Sequence, residues 1–228
     1  MTADPDTPRE LIAFTPQDVQ AINREEVCPQ DPGCLVAAQN LHGIQSYPDF
    51  VIVTPDILKT QAEELAALRR QDGLVVEVVD VAHIYNEFSG GLTDFRGIRD
   101  YLRFLYERAP GEEQLLRYAL MFGDGHFNYR ELGLQPESPT IFPNLVPPFE
   151  TEESWHPETS YTSDDYFGLL DPNEGLWSFT RESFIGQNEH LNERLDIGIG
   201  RFTVHTPEQA QTMLNKIRRY ESADTFGP

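Results

Sequence analysis

Gly123-Asp124-Gly125-His126 puts a carboxylate and an imidazole into one turn, directly after the apolar run Tyr118-Ala119-Leu120-Met121-Phe122. An Asp and a His at the carboxyl end of a buried strand could bind a metal or orient a nucleophile, because that edge is where open α/β sheets place their ligands. The plainer reading, and the favoured one, is a tight turn in which Asp124 accepts hydrogen bonds from nearby amides. A catalytic role for His126 would also need a nucleophile, and neither cysteine of the chain is poised to serve.

A second polar group lies in Tyr161-Thr162-Ser163-Asp164-Asp165-Tyr166-Phe167-Gly168, with Asp171 and Glu174 close behind. Adjacent carboxylates can gather the oxygen ligands that Ca²⁺ prefers. The candidate binding residues are therefore Asp124, His126, Asp164 and Asp165, and the candidate metal set is Asp124, Asp165, Asp171 and Glu174. No Asp-x-Asp-x-Asp-Gly loop is present, so no cofactor is required and Ca²⁺ is the candidate if one binds. A glycosidase-type acid/base pair needs carboxyl groups held on separate elements, and sequence does not display that spacing.

The two cysteines sit in Cys28-Pro29-Gln30-Asp31-Pro32-Gly33-Cys34, a Pro/Gly turn able to bring both sulfurs within bridging range. A Cys28 to Cys34 disulfide fits an oxidising, extracytoplasmic setting. The spacing matches neither a Cys-x-x-Cys redox motif nor a zinc site. Gly-x-Gly pairs occur at 123–125 and 198–200, but neither completes the dinucleotide fingerprint, and no Walker lysine loop or Gly-x-Ser-x-Gly elbow occurs.

The elements that must position these residues follow from the spacing of apolar positions. Phe50-Val51-Ile52-Val53 reads as a strand covered on both faces. Thr54-Pro55-Asp56 reads as a cap for a helix carrying Leu58, Ala62, Leu65, Ala66 and Leu68, which Gly73 ends. A second strand, residues 74–79, completes a βαβ unit whose strands should be parallel neighbours. Residues 82–88 form a short helical turn, and Phe95, Ile98, Leu102 and Leu105 recur at helical spacing. The strand at 118–122 leads into a connection over 124–194 that is long enough to be functional or to carry its own hairpin. A fourth strand at 197–202 and a helix opened by Thr206-Pro207-Glu208-Gln209 follow, with Ala210, Met213, Leu214, Ile217 and Tyr220 along one face.

With 17 Lys plus Arg against 38 Asp plus Glu, the net charge of −21 repels phosphate backbones, so nucleic acid is not an expected partner. Hydrophobic residues make up 39% at a mean hydropathy of −0.46, which describes a soluble globular α/β protein rather than a membrane domain. Residues 1–10 are acidic and carry no signal-peptide pattern, so any export signal is expected upstream.

The chain carries, in order, Asp49-Phe50-Val51-Ile52-Val53-Thr54-Pro55, His83-Ile84-Tyr85-Asn86-Glu87-Phe88-Ser89-Gly90-Gly91, Ile98-Arg99-Asp100-Tyr101-Leu102, and Leu120-Met121-Phe122-Gly123-Asp124-Gly125. Thr162-Ser163-Asp164-Asp165-Tyr166-Phe167-Gly168-Leu169-Leu170-Asp171, Asp196-Ile197-Gly198-Ile199-Gly200-Arg201-Phe202 and Asn215-Lys216-Ile217 continue the series. Taken together these segments resemble the gingipain-type cysteine peptidases, and among them the sortases of type IX secretion.

The resemblance covers residues 47–228 and implies a caspase-like α/β fold of which they form the first of two subdomains; residues 1–46, which it does not cover, read as a lead-in with a Cys loop. It places the catalytic His, followed by Gly, and the catalytic Cys in the second subdomain. No position here matches either motif, so no catalytic residue is carried over, and the chain alone is expected to be inactive. The partners it implies are the downstream catalytic subdomain and secreted cargo with C-terminal signals, at the cell surface or outer membrane. The alternative is a stand-alone extracellular module that binds Ca²⁺ or a polymer on a degenerate peptidase fold.

Overall fold

The computed structural model describes residues 39–43, 46–111, 115–126, 128, 142–150, 161–171, 174 and 194–222. The Cys28 and Cys34 pairing lies outside them. The sheet and its helices belong to the compact unit Ala38–Pro228.

Strand β1, Phe50–Thr54, is the spine of the molecule. Its Val51, Ile52 and Val53 are completely buried, and they alternate between two separate cores. Val51 and Val53 face one core and Ile52 the other, which the period-2 geometry of a strand requires once helices cover both faces. Each such side chain contributes roughly 1.5–3 kcal/mol of burial.

After β1, a 3₁₀ turn at Asp56–Leu58 runs into helix α1, Lys59–Gln71. The expected Thr54 cap does not form. Thr54 is the last residue of β1 and fully buried, its Oγ1 donates only to the Pro55 carbonyl at 3.3 Å, and the turn opens at Pro55 with no side-chain cap. Ala62, Leu65 and Ala66 bury the expected stripe, and Leu68 is half-buried at its margin. Gly73, in the left-handed region at φ 94°, ends the helix without a Cβ clash.

Strand β2, Val76–Asp80, pairs with β1 in parallel, as the βαβ reading requires. Asp80 then caps α2, Val81–Phe88, by accepting from Ala82 N. Asp94 caps α3, Phe95–Glu107, through Arg96 N. Both caps satisfy an orphan first-turn amide. Strand β3, Tyr118–Phe122, lies on the other side of β1, and β6, Gly198–Phe202, lies beyond it.

The result is a fully parallel sheet in the order β2-β1-β3-β6. The chain crosses from β1 to β2 over one face through α1, then from β2 to β3 in the opposite direction over the other face through α2 and α3. Reversing both direction and face keeps the crossovers of one hand. The reversal creates a switch point between the carboxyl ends of β1 and β3, beside Gly123-Asp124-Gly125.

Within the long connection, β4 (Phe149–Glu150) pairs antiparallel with β5 (Thr162–Ser163), and a 3₁₀ turn spans Asp165–Gly168. The connection thus carries its own small hairpin ladder. It also completes a core, since Val146, Phe149, Tyr166, Phe167 and Leu170 join the cluster on the α2 and α3 face.

The last helix, α4 (Pro207–Glu221), begins at Thr206, whose side chain accepts from Gln209 N, while Gln209 Oε1 accepts from His205 N. Ala210 and Leu214 are buried and Ile217 packs beside them. Tyr220, expected on the same stripe, is 64% exposed instead. At about 100° per residue it points roughly 80° away from the line through Ala210, Leu214 and Ile217. The position on that line in the last turn is Glu221, which pairs with Arg69 of α1.

Candidate functional site at the carboxyl edge of the sheet

The turn after β3 is tight because it has no room to be otherwise. A Cβ on Gly125 would overlap the Val146 carbonyl oxygen and stand 2.7 Å from Pro148 Cδ. Segment 142–150 therefore lies directly on the glycine. Asp124 O accepts from both Leu145 N (3.0 Å) and Val146 N (3.1 Å), and Asp124 N donates to Val204 O (3.0 Å). Asn144 adds a reciprocal pair with the His126 backbone, Oδ1 accepting from N at 3.2 Å and Nδ2 donating to O at 2.9 Å.

The Asp124 carboxylate does what the plainer reading expected and something further. Oδ1 accepts from Gly125 N at 2.9 Å, and Oδ2 lies 2.9 Å from His205 Nε2. His205 follows β6 and stacks on Phe142, with ring centroids 4.1 Å apart and planes 20° from parallel. His126, the imidazole nearer in sequence, accepts at Nδ1 from Asn128 N instead.

Arg201 binds the edge together. It is 11% exposed, and its Nε and Nη2 donate to Asp164 Oδ2 and Oδ1, each at 2.7 Å. Its Nη1 donates to Gly123 O (2.8 Å) and Val146 O (2.7 Å). A planar guanidinium suits this fork, since one face of donors meets a carboxylate and the remaining nitrogen meets two carbonyls.

The acidic candidates do not converge on one point. Among the described residues no group of three or more His, Cys, Asp or Glu side chains gathers into a metal-holding cluster. Asp164 is taken by Arg201, Asp165 opens the 3₁₀ turn with its amide donating to Ser163 Oγ, and Asp124 belongs to His205. Asp171 and Glu174 do meet: Asp171 N donates to Glu174 Oε2 (3.3 Å), and Glu174 N donates to Asp171 O (3.1 Å).

Beside that turn sits Arg99 of α3, only 5% exposed. It donates to Leu169 O (2.7 Å) and Glu174 O (2.9 Å) and lies 5.4 Å from the centre of the Tyr166 ring. Burial lowers its pKa, and burial raises that of Glu174. A guanidinium thus occupies the carbonyl oxygens that a hard cation would otherwise seek.

Sequence reasoning missed Arg99, Arg201, His205 and Asn144 as site-builders. For Arg99 a signal existed: a charged residue inside the apolar run Phe95, Ile98, Leu102 must find internal partners. His205 carried no signal beyond its place at a strand-to-helix turn.

Residues 44–228 match the model of Peptidase family C25. No curated protein matches the sequence. The crystal structure of dimeric latent PorU from Porphyromonas gingivalis superposes with a TM-score of 0.64 at 34% identity, covering 80% of this chain and 16% of PorU. A second solved structure, described as a protease, gives a TM-score of 0.50 at 13% identity over 77% of this chain and 28% of its own, a likeness of fold alone. The chain therefore spans about a sixth of PorU's length and shares its caspase-like α/β fold. On the match across residues 44–228 and the likeness to PorU, this chain belongs to Peptidase family C25, the gingipain-type cysteine peptidases.

Proposed function

We propose that this chain is the non-catalytic, sheet-bearing subdomain of a PorU-like sortase that cleaves C-terminal signals from secreted cargo and joins the cargo to the cell surface. The observation that carries this reading is the 34% identity with PorU over 80% of the chain. The chain's His-Gly pair, His42-Gly43, and both its cysteines, Cys28 and Cys34, precede the matched residues 44–228, which supports assigning the chemistry to another part of the parent protein.

In that part a histidine takes the thiol proton, and the thiolate attacks the carbonyl carbon of the scissile peptide. The C–N bond breaks, the leaving amine takes the proton from the imidazolium, and a thioester remains. An acceptor amine then attacks the thioester, gives its proton to the now neutral histidine, forms a new amide and releases the thiolate. The present subdomain contributes a rigid flank, and its carboxyl edge, rimmed by segments 142–150 and 161–168, shapes the approach of the substrate. The setting is extracytoplasmic, where a Cys28 to Cys34 disulfide is stable.

The test is to incubate the parent polypeptide with cargo bearing a C-terminal signal and follow the products by mass spectrometry. Cleavage with transfer to an added amine supports the sortase. Cleavage to the free acid alone leaves a peptidase that is not a sortase, and no cleavage removes both.

A further inference from the structure

We propose that Arg201 is a positioning residue for substrate capture, acting through the rim it staples to the sheet. This rests on the functional reading above and goes further by assigning the rim's geometry to one side chain. Four hydrogen bonds from one guanidinium reach three separate stretches: the end of β3 at Gly123, segment 142–150 at Val146, and segment 161–168 at Asp164.

Those stretches have other attachments, but among the described residues no other side chain bonds to all three. Segment 142–150 also hangs on the Asp124 carbonyl and, through Asn144, on the His126 backbone, and it meets 161–168 through the two-residue ladder β4 and β5. Arg201 is the point where both rim segments meet the strand ends. With Arg201 11% and Asp164 25% exposed, the pair is partly shielded from solvent and is weakened by screening less than a fully exposed ion pair.

Lysine cannot reproduce this arrangement. A single ammonium can replace the charge facing Asp164, yet it cannot meet two carboxylate oxygens and two carbonyls in one plane. Arg201→Lys therefore keeps the charge and the buried stem while loosening the rim. A substrate lying against a loosened rim binds less well, whereas merely lowering the folded fraction reduces apparent kcat and leaves KM alone.

The experiment has two arms. In the isolated chain, hydrogen exchange is measured for wild type, Arg201→Lys and Asp164→Asn. The proposal expects amides in 142–150 and 161–168 to exchange about tenfold faster or more in both variants, with β1 and β2 unchanged. In the parent protein, peptide cleavage by Arg201→Lys is expected to show KM raised about three- to tenfold with kcat within about twofold. Unchanged exchange in the two segments overturns the staple. Faster exchange with unchanged KM overturns the role in capture. A wild-type parent without thiol-dependent cleavage overturns the peptidase reading and the capture role with it, while the exchange arm still decides the staple.

Discussion

Asp124 Oδ2 and His205 Nε2, 2.9 Å apart, join the turn that leaves β3 to the turn that leaves β6. Because His205 also stacks on Phe142, one imidazole links two strand ends and the rim segment. His205→Ala removes the pair and the stack together. The expected loss of stability is about 1–2 kcal/mol, read as a lower urea midpoint with unchanged m-value. A variant as stable as wild type would mean the pair contributes nothing.

Gly125→Ala should be far more harmful than its size suggests. The added methyl meets the Val146 carbonyl oxygen and Pro148, backbone and ring atoms that cannot swing aside. We expect a loss of at least about 2–3 kcal/mol, measured by thermal unfolding against Gly111→Ala, where nothing lies within 4 Å of the new Cβ. Equal effects at the two sites would contradict the packing described for segment 142–150.

Arg99→Met tests the second buried guanidinium. It keeps much of the side-chain volume but strands the carbonyls of Leu169 and Glu174 and removes the cation beside the Tyr166 ring. The expected cost is about 2–4 kcal/mol. Hydrogen exchange should locate the loosening at 166–171 and spare β2.

Added Ca²⁺ or a chelator should leave the melting temperature of the isolated chain unchanged. Among the described residues, the carboxylates best placed to bind it already serve Arg201 and His205, and Arg99 occupies the carbonyls beside Asp171 and Glu174. Saturable stabilisation by Ca²⁺ would instead favour a cation-binding module.

Glu77 gives a pH-dependent test. Burial raises its pKa above the ordinary 4.5, and the hydrogen bond donated by Tyr101 offsets this only in part. Between the unfolded and folded pKa values the native state binds the proton more tightly, so stability falls as pH rises through that window and stays lower above it. Glu77→Gln retains an acceptor for Tyr101 and cannot ionise. It should exceed wild type in stability at pH 7, with the difference shrinking as pH is lowered below the window.

The parts of the fold legible in the sequence were those set by short-range pattern. Phe50-Val51-Ile52-Val53 is apolar without alternation because both faces of β1 are buried, and Asp124 sits in a turn because glycines flank it. The rim was not legible, because its bonds are long-range. Nothing near Arg201 in sequence points to Asp164 or Val146, and a strand with two glycines gives no hint that its arginine turns inward. Tyr220 misled because apolar character at a near-helical spacing was read as burial, whereas the stripe had already drifted toward Glu221. The pairing of Asp124 was half legible: its amide partner is adjacent, but His205 arrives only with β6 in place.

On the proposed function, the chain supports, but does not contain, the chemistry of a thiol peptidase. The most direct measurement compares peptide cleavage by the isolated 228-residue chain with cleavage by the parent polypeptide, each with and without a thiol-alkylating reagent. The account predicts no cleavage by the isolated chain and cleavage by the parent that alkylation abolishes. Alkylation-sensitive cleavage by the isolated chain, or a parent indifferent to the reagent, would contradict it.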